Sequence, residues 1–160
     1  MASVGNNSLY KGIPIIKDAF VVIVKTEWNS HIVDKLEEGA LNVFKSNGVD
    51  YKVFTVPGAV EIPFAINCYQ REAPKKADAF IAFGTVIRGD TPHFDYVCNA
   101  VTNGISTLNL QLDVPVIFGI LTVENEQQAI ERVGGSHGHK GEEAAIAAIK
   151  MIALKEAFKK

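Results

Sequence analysis

The stretch Arg88-Gly89-Asp90-Thr91-Pro92-His93 brings a guanidinium, a carboxylate, a hydroxyl and an imidazole into six positions, directly after the apolar run Phe80 to Ile87. A strand ending there and a helix starting there would hold these groups at one rim. Asp90 or Thr91 can cap the helix, and Pro92 suits its first turn. The exposed backbone N–H groups of such a turn favour an anion. Gly89 lets the backbone approach a ligand closely. His93 then stands beside the anion site, and an imidazole that titrates near neutrality is the usual proton shuttle. The same residues also fit a plain cap followed by a surface histidine.

Other candidates each carry two readings. Trp28, the one tryptophan, lies in the polar setting KTEWN. It can stack on a planar heterocycle or pack on the helix that follows. Glu61, after Pro57-Gly58, can face a ligand or complement a helix dipole. Arg132, just before Gly134-Gly135, can clamp a phosphate or close a helix with favourable charge. The loop GGSHGHKGEE has neither the glycine–lysine spacing nor the hydroxyl of a P-loop. His137 and His139 lack a third ligand nearby, so a metal is disfavoured. Lys140 remains available to an anion. There is no GxGxxG after the first strand and no GxSxG, which argues against a dinucleotide site and an α/β-hydrolase.

The elements that must position these residues follow from periodicity. Ala19 to Lys25 is a continuous apolar run, as expected of a strand buried on both faces. Val33, Leu36, Ala40 and Val43 recur at helical spacing over His31 to Ser46, with Asn29 or Ser30 as cap and Asn47-Gly48 as stop. Further strands are expected at Tyr51 to Val56, Ala79 to Ile87 and Val116 to Thr122. Helices are expected at Glu61 to Tyr69, Thr91 to Leu112, Asn125 to Val133 and Glu142 to Phe158, with Gly134 to Lys140 a loop. Ser8 to Ile16 reads as an extended arm. Alternating strands and helices predict a parallel sheet with helices on both faces. Ligands in such sheets bind beyond the carboxyl ends of the strands.

The chain has 160 residues, 48% of them hydrophobic and 21% charged, which suits one globular domain over residues 1–160. A net charge of −2 without a basic block disfavours a nucleic-acid partner. No apolar run approaches the roughly 20 residues of a membrane span, and no signal-peptide pattern opens the chain. Cys68 and Cys98 lie apart among apolar residues and read as reduced thiols. A cytoplasmic location is expected.

Four stretches carry a resemblance: WNSHIVDKLEEGA at Trp28 to Ala40, VPGAVEIP at Val56 to Pro63, GTVIRGDTPHFDYV at Gly84 to Val97, and FGILTVENEQQAIERVGG at Phe118 to Gly135. In this order and spacing the chain resembles the lumazine synthases of riboflavin biosynthesis over nearly its whole length. The resemblance implies a flavodoxin-like three-layer α/β/α sandwich around a four-stranded parallel sheet. It implies condensation of 5-amino-6-(D-ribitylamino)uracil with 3,4-dihydroxy-2-butanone 4-phosphate, with no metal or organic cofactor. By position, Trp28 stacks on the pyrimidine, where phenylalanine is commoner. Ala59, Val60 and Glu61 line its ribityl and ring pocket, and Thr85, Val86 and Ile87 meet it through backbone groups. Asp90 and Thr91 hold the butanone phosphate, Arg132 clamps it, and His93 is the general acid and base. Phe118 arrives from a neighbouring subunit, and Lys140 and Glu143 match further polar positions. Relatives often have serine near Ala59 and asparagine at His139. The family assembles as pentamers. The short loop at Gly134 to Lys140 favours a 60-subunit icosahedral shell, with an N-terminal arm over residues 1–17 adding an edge strand to a neighbour and riboflavin synthase a possible guest. The competing reading is a catalytically weak flavin-binding shell.

Overall fold

The computed structural model describes residues 8–159. A run of β-branched and aromatic residues forms β1 (Phe20–Thr26), and α1 (Ser30–Asn47) follows it. Next come β2 (Asp50–Val56), a single 3-10 turn at Ala59–Glu61, α2 (Ile62–Glu72), β3 (Ala79–Ile87), α3 (His93–Gln111) and β4 (Val116–Val123). The chain ends with α4 (Glu126–Ile130), the short strands β5 (Val133–Gly135) and β6 (Gly138–His139), and α5 (Lys140–Phe158).

The four long strands make one parallel sheet in the order β2-β1-β3-β4. Side chains alternate across it. Val21, Ile23, Ile81 and Phe83 face α1 and α5. Phe20, Val22, Val24, Phe80 and Ala82 face α2 and α3, where Ile62, Ile66, Val101 and Ile105 meet them. The result is the expected α/β/α sandwich, and β1 and β3 are buried on both faces because helices cover both. Phe44, Phe80 and Phe83 are fully enclosed; burial of each side chain contributes about 1.5–3 kcal/mol.

On one face α1 and α5 come very close. A Cβ added at Gly141 would lie 2.0 Å from the Leu36 carbonyl oxygen, and one at Gly39 would lie 2.1 Å from His139 Cε1. The order β2-β1-β3-β4 puts the reversal of strand order between β1 and β3, and the carboxyl ends there form the crevice in which such sheets bind ligands.

Three expectations are corrected. Ser8–Tyr10 is a 3-10 turn rather than part of an extended segment. It lies against the chain's own α5, where Tyr10 Oη donates to Glu142 Oε2 at 2.8 Å and Lys150 Nζ donates to the Leu9 carbonyl at 2.7 Å. Burial and the Glu142 carboxylate push the Tyr10 phenol well above its ordinary range. The first seven residues of the expected arm lie outside the described residues. The helix expected at Asn125 to Val133 ends at Ile130, the small antiparallel β5–β6 hairpin runs from Val133 into the predicted loop over 134–140, and Lys140 already opens α5. The helix expected at Glu61 to Tyr69 starts one residue later and runs on to Glu72, because Tyr69 packs between Phe54 and Phe80 instead of ending it.

Candidate active site

A cavity of about 580 Å³ opens at the carboxyl ends of β1 and β3. Its wall contains Trp28, Ala59, Val60, Glu61, Thr85, Val86, Ile87 and His93, eight residues that the sequence had singled out, together with Thr26, Asn29, Gly58 and Val97. They come from four separate segments. Trp28 sits in the turn after β1, where Glu27 N bonds the Val56 carbonyl and Trp28 N the Pro57 carbonyl. That pairing holds the β1 turn against the end of β2. Trp28 is 73% exposed, so its ring is at the mouth and not in the core. The packing of this ring on the next helix is therefore the weaker of its two readings.

The other walls are fixed by ordinary forces. The 3-10 turn at Ala59–Glu61 brings Glu61 to the rim ahead of α2, with Pro63 tolerated in the first helical turn. Thr85 belongs to β3 and is only 4% exposed. Its Oγ1 is buried without a hydrogen-bond partner. His93 opens α3, and its backbone N–H donates weakly to Thr91 Oγ1 at 3.4 Å. Pro92 occupies the cap position and no side chain caps the helix there, so the expected cap by Asp90 or Thr91 is not formed beyond that weak Thr91 contact.

Two residues organise this rim through contacts that the sequence did not reveal. Arg88 donates to Glu124 at 2.7 Å and to both Asp95 oxygens at 3.1 and 3.3 Å, and it stacks over the Phe94 ring at 4.1 Å. It ties the ends of β3 and β4 to the first turns of α3, and so holds the segment that carries His93. The Asp95 carboxylate, supported by Glu124, raises the guanidinium above its ordinary value. The acidic residue seven positions later was the available signal. The second is Asn29, one of the two expected caps of α1 with Ser30. Its backbone is left-handed (φ 58°), its side chain makes no cap bond, and its Nδ2 donates to the Thr85 carbonyl at 2.8 Å.

Four predicted site residues lie outside the cavity. Asp90 and Thr91 are exposed beside it, in the turn before α3. Arg132 is half-buried behind α4, where its Nη1 donates to the Gln128 carbonyl at 2.6 Å. Phe118 stands on β4, an edge strand, and is 42% exposed. It lines a second concavity with Leu9, Lys140, Glu143 and the adjoining residues of β4 and α5. There Lys140 Nζ donates to both Glu143 oxygens at 2.7 and 2.8 Å.

His139 has a structural task. Its ring fills the space over Gly39, and its Nδ1 accepts from Glu142 N at 3.5 Å, the contact by which a short polar side chain caps a helix. Asparagine, expected at this position in relatives, would supply the same acceptor. Among the described residues no three metal-ligating side chains converge. Both cysteines are unpaired and partly buried. Burial, with the Asp95 charge behind it, pushes the Cys98 thiol up and keeps it protonated.

Comparison with known proteins follows the same outline. Residues 18–156 match the family described as "6,7-dimethyl-8-ribityllumazine synthase". A protein of that name from Parabacteroides distasonis is 46% identical over 146 residues, covering 89% of this chain and 90% of its own length. One from Porphyromonas gingivalis is 47% identical over 148 residues and covers 91% of each chain. One from Bdellovibrio bacteriovorus is 48% identical over 135 residues, 84% of this chain and 74% of its own.

Proposed function

Because this chain belongs to the 6,7-dimethyl-8-ribityllumazine synthase family, we propose that the cavity at the ends of β1 and β3 holds its pyrimidine substrate and that a second copy completes the site. The protein is a transferase of riboflavin biosynthesis. It condenses 5-amino-6-(D-ribitylamino)uracil with 3,4-dihydroxy-2-butanone 4-phosphate to give 6,7-dimethyl-8-ribityllumazine, phosphate and water. The flavin-binding shell without catalysis is not favoured.

The convergence of eight predicted residues on one cavity carries the site assignment. The pyrimidine stacks on Trp28, its ribityl chain runs toward Ala59, Val60 and Glu61, and its polar edge meets Thr85, Val86 and Ile87. The butanone phosphate lies at the start of α3, beside Asp90 and Thr91, where the helix dipole favours an anion. Arg132 supplies the opposing cation.

The substrate amine attacks the butanone carbonyl to form an imine with loss of water. Phosphate leaves after proton loss from the adjacent carbon, and ring closure releases the second water. His93 moves protons at the carbon and at the leaving oxygens, a contribution of about 10²–10⁴. Holding two reactants in register supplies much of the remaining rate.

Exposure supports the shared site. Trp28 and Val60 leave large apolar side chains open in the cavity wall, Phe64 and Tyr96 are exposed on α2 and α3, and Phe118 is open on the edge strand. Apolar exposure on this scale marks interaction surfaces. The neighbour's Phe118 edge, with Lys140 and Glu143, covers the mouth. Assembly is a pentamer, within a 60-subunit shell able to enclose riboflavin synthase, in the cytoplasm. No described helix is long and apolar enough to cross a membrane.

Complementation tests the shared site. Assembling Trp28→Ala with Phe118→Ala subunits recreates intact sites from two impaired parents, so mixed assemblies should regain activity that neither parent has. Mixed assemblies no more active than the parents contradict it. A monomer mass in light scattering would do the same.

A further inference from the structure

β1 pairs with β3 only as far as Lys25↔Phe83, whereas β3 continues beside β4 to Ile87↔Val123. Beyond Thr26 the chain leaves β3: Glu27 N bonds Val56 on the other side. The Thr85 carbonyl, two residues past the last β1 pair, thus has no strand partner on that side. Asn29 fills the gap. Its Nδ2 donates to this carbonyl at 2.8 Å, while its own carbonyl accepts from Ile32 N at 2.9 Å and Val33 N at 3.1 Å to start α1.

Two requirements meet at this one position. The backbone is left-handed, which asparagine tolerates far better than most side chains. The side chain must also donate to a carbonyl across the cavity. Glycine meets the first requirement only. Aspartate tolerates the backbone but would set a carboxylate against the Thr85 oxygen.

What the bond connects is the cavity itself. Trp28 precedes Asn29 in the chain and lies beside Gly58 and Glu61, since a Cβ on Gly58 would come within 3.7 Å of the indole and 3.1 Å of the Glu61 carboxylate. Thr85 forms the wall on the β3 side, with its unpartnered buried hydroxyl. A planar heterocycle lying on the indole must reach the polar edge of β3 at the same time. The Asn29 amide sets the spacing between the two.

We propose that Asn29 is a positioning residue for the pyrimidine substrate, an inference that rests on the cavity assignment given above. It fixes the turn bearing Trp28 to the end of β3, so that stacking and hydrogen bonding to the ring occur together. Its loss weakens binding of the pyrimidine and leaves the butanone phosphate largely untouched, because Asp90, Thr91 and Arg132 lie outside the cavity.

The test is steady-state kinetics with each substrate varied in turn, for the wild type, Asn29→Gly, Asn29→Asp and Trp28→Ala. Light scattering and thermal unfolding of every variant accompany it. Asn29→Gly keeps the left-handed turn and removes only the amide. It is expected to raise the KM for the pyrimidine about tenfold, the worth of one hydrogen bond. The KM for the butanone phosphate should stay within about twofold. Asn29→Asp is expected to raise the pyrimidine KM further, by carboxylate–carbonyl repulsion. The proposal is overturned if both Asn29 variants keep both constants at wild-type values. It is equally overturned if both constants rise together with a loss of thermal stability, which would be a structural role alone. Trp28→Ala separates the two levels. If it raises the pyrimidine KM and Asn29→Gly does not, only the positioning role fails; if Trp28→Ala has no effect either, the cavity assignment fails with it.

Discussion

Gly141 is where the structure predicts the most severe single methyl. It sits in the first turn of α5, and a Cβ there would lie 2.0 Å from the Leu36 carbonyl oxygen, 2.7 Å from its carbon and 2.9 Å from its Cα. All three atoms are α1 backbone, so no rotamer change relieves the clash. Ordinary contact is about 3.4 Å or more, and α1 and α5 must move apart by more than an ångström. Overpacking of this kind costs about 1–3 kcal/mol and sometimes more. Gly→Ala in a helix returns up to about 1 kcal/mol. The clash involves rigid backbone, so the upper part of the range applies and a net loss of about 2 kcal/mol is expected. For a domain of this size that lowers Tm by about 4–8 °C. Gly89→Ala is the control, because nothing lies within 4 Å of its added Cβ. Thermal and urea unfolding of both variants provide the assay. A Gly141→Ala protein as stable as the wild type would refute the close α1–α5 packing; a large loss in Gly89→Ala would refute the inference from space to stability.

Three other outcomes are expected. Lys25 bonds Asp34 at 2.7 Å and also Glu37; burial works against its charge, but the two carboxylates outweigh it and raise its pKa. Lys25→Met should therefore cost about 1–2 kcal/mol at neutral pH. A raised lysine pKa stabilises the fold below the unfolded value, so the deficit should be constant from neutral pH, where both carboxylates are ionised, up to about pH 10 and shrink as pH rises through the folded value, as followed by urea unfolding of both proteins across pH. Asn125 caps α4 by accepting from Gln128 N at 3.0 Å, and Asn125→Ala should lose about 1 kcal/mol in the same assay. Arg88→Met frees Asp95 and Glu124 and loosens the turn that carries His93, so kcat should fall with little change in assembly, as read by turnover and light scattering.

The sheet was legible because its information is local. β1 and β3 are apolar over most of their length, and β3 was expected at its observed ends. The convergence of Trp28, Glu61 and His93 was also legible, since parallel strands put every following turn at one rim, whereas Thr85, inside β3, came only from the family resemblance. The remainder depends on contacts between distant segments. The β5–β6 hairpin has five residues of glycine, valine and histidine, too few to alternate. Asn29 resembled a cap because caps and left-handed turns favour the same residue; only Thr85, 56 positions away, distinguishes them. The N-terminal segment read as extended from Pro14, yet Tyr10 and Leu9 are held by Glu142 and Lys150, which no local pattern announces. Phe118 and Arg132 stand apart from the cavity in a single chain.

The most direct test of the catalytic site is the absorbance of lumazine formed from the two substrates by the wild type, His93→Ala and Arg132→Ala. The wild type should turn over. Arg132→Ala should lose most activity through weaker binding of the phosphate substrate, and His93→Ala should lose less, about 10²-fold, because solvent can carry part of the proton traffic. A folded, assembled wild type that makes no lumazine, or full activity in both variants, would contradict the account.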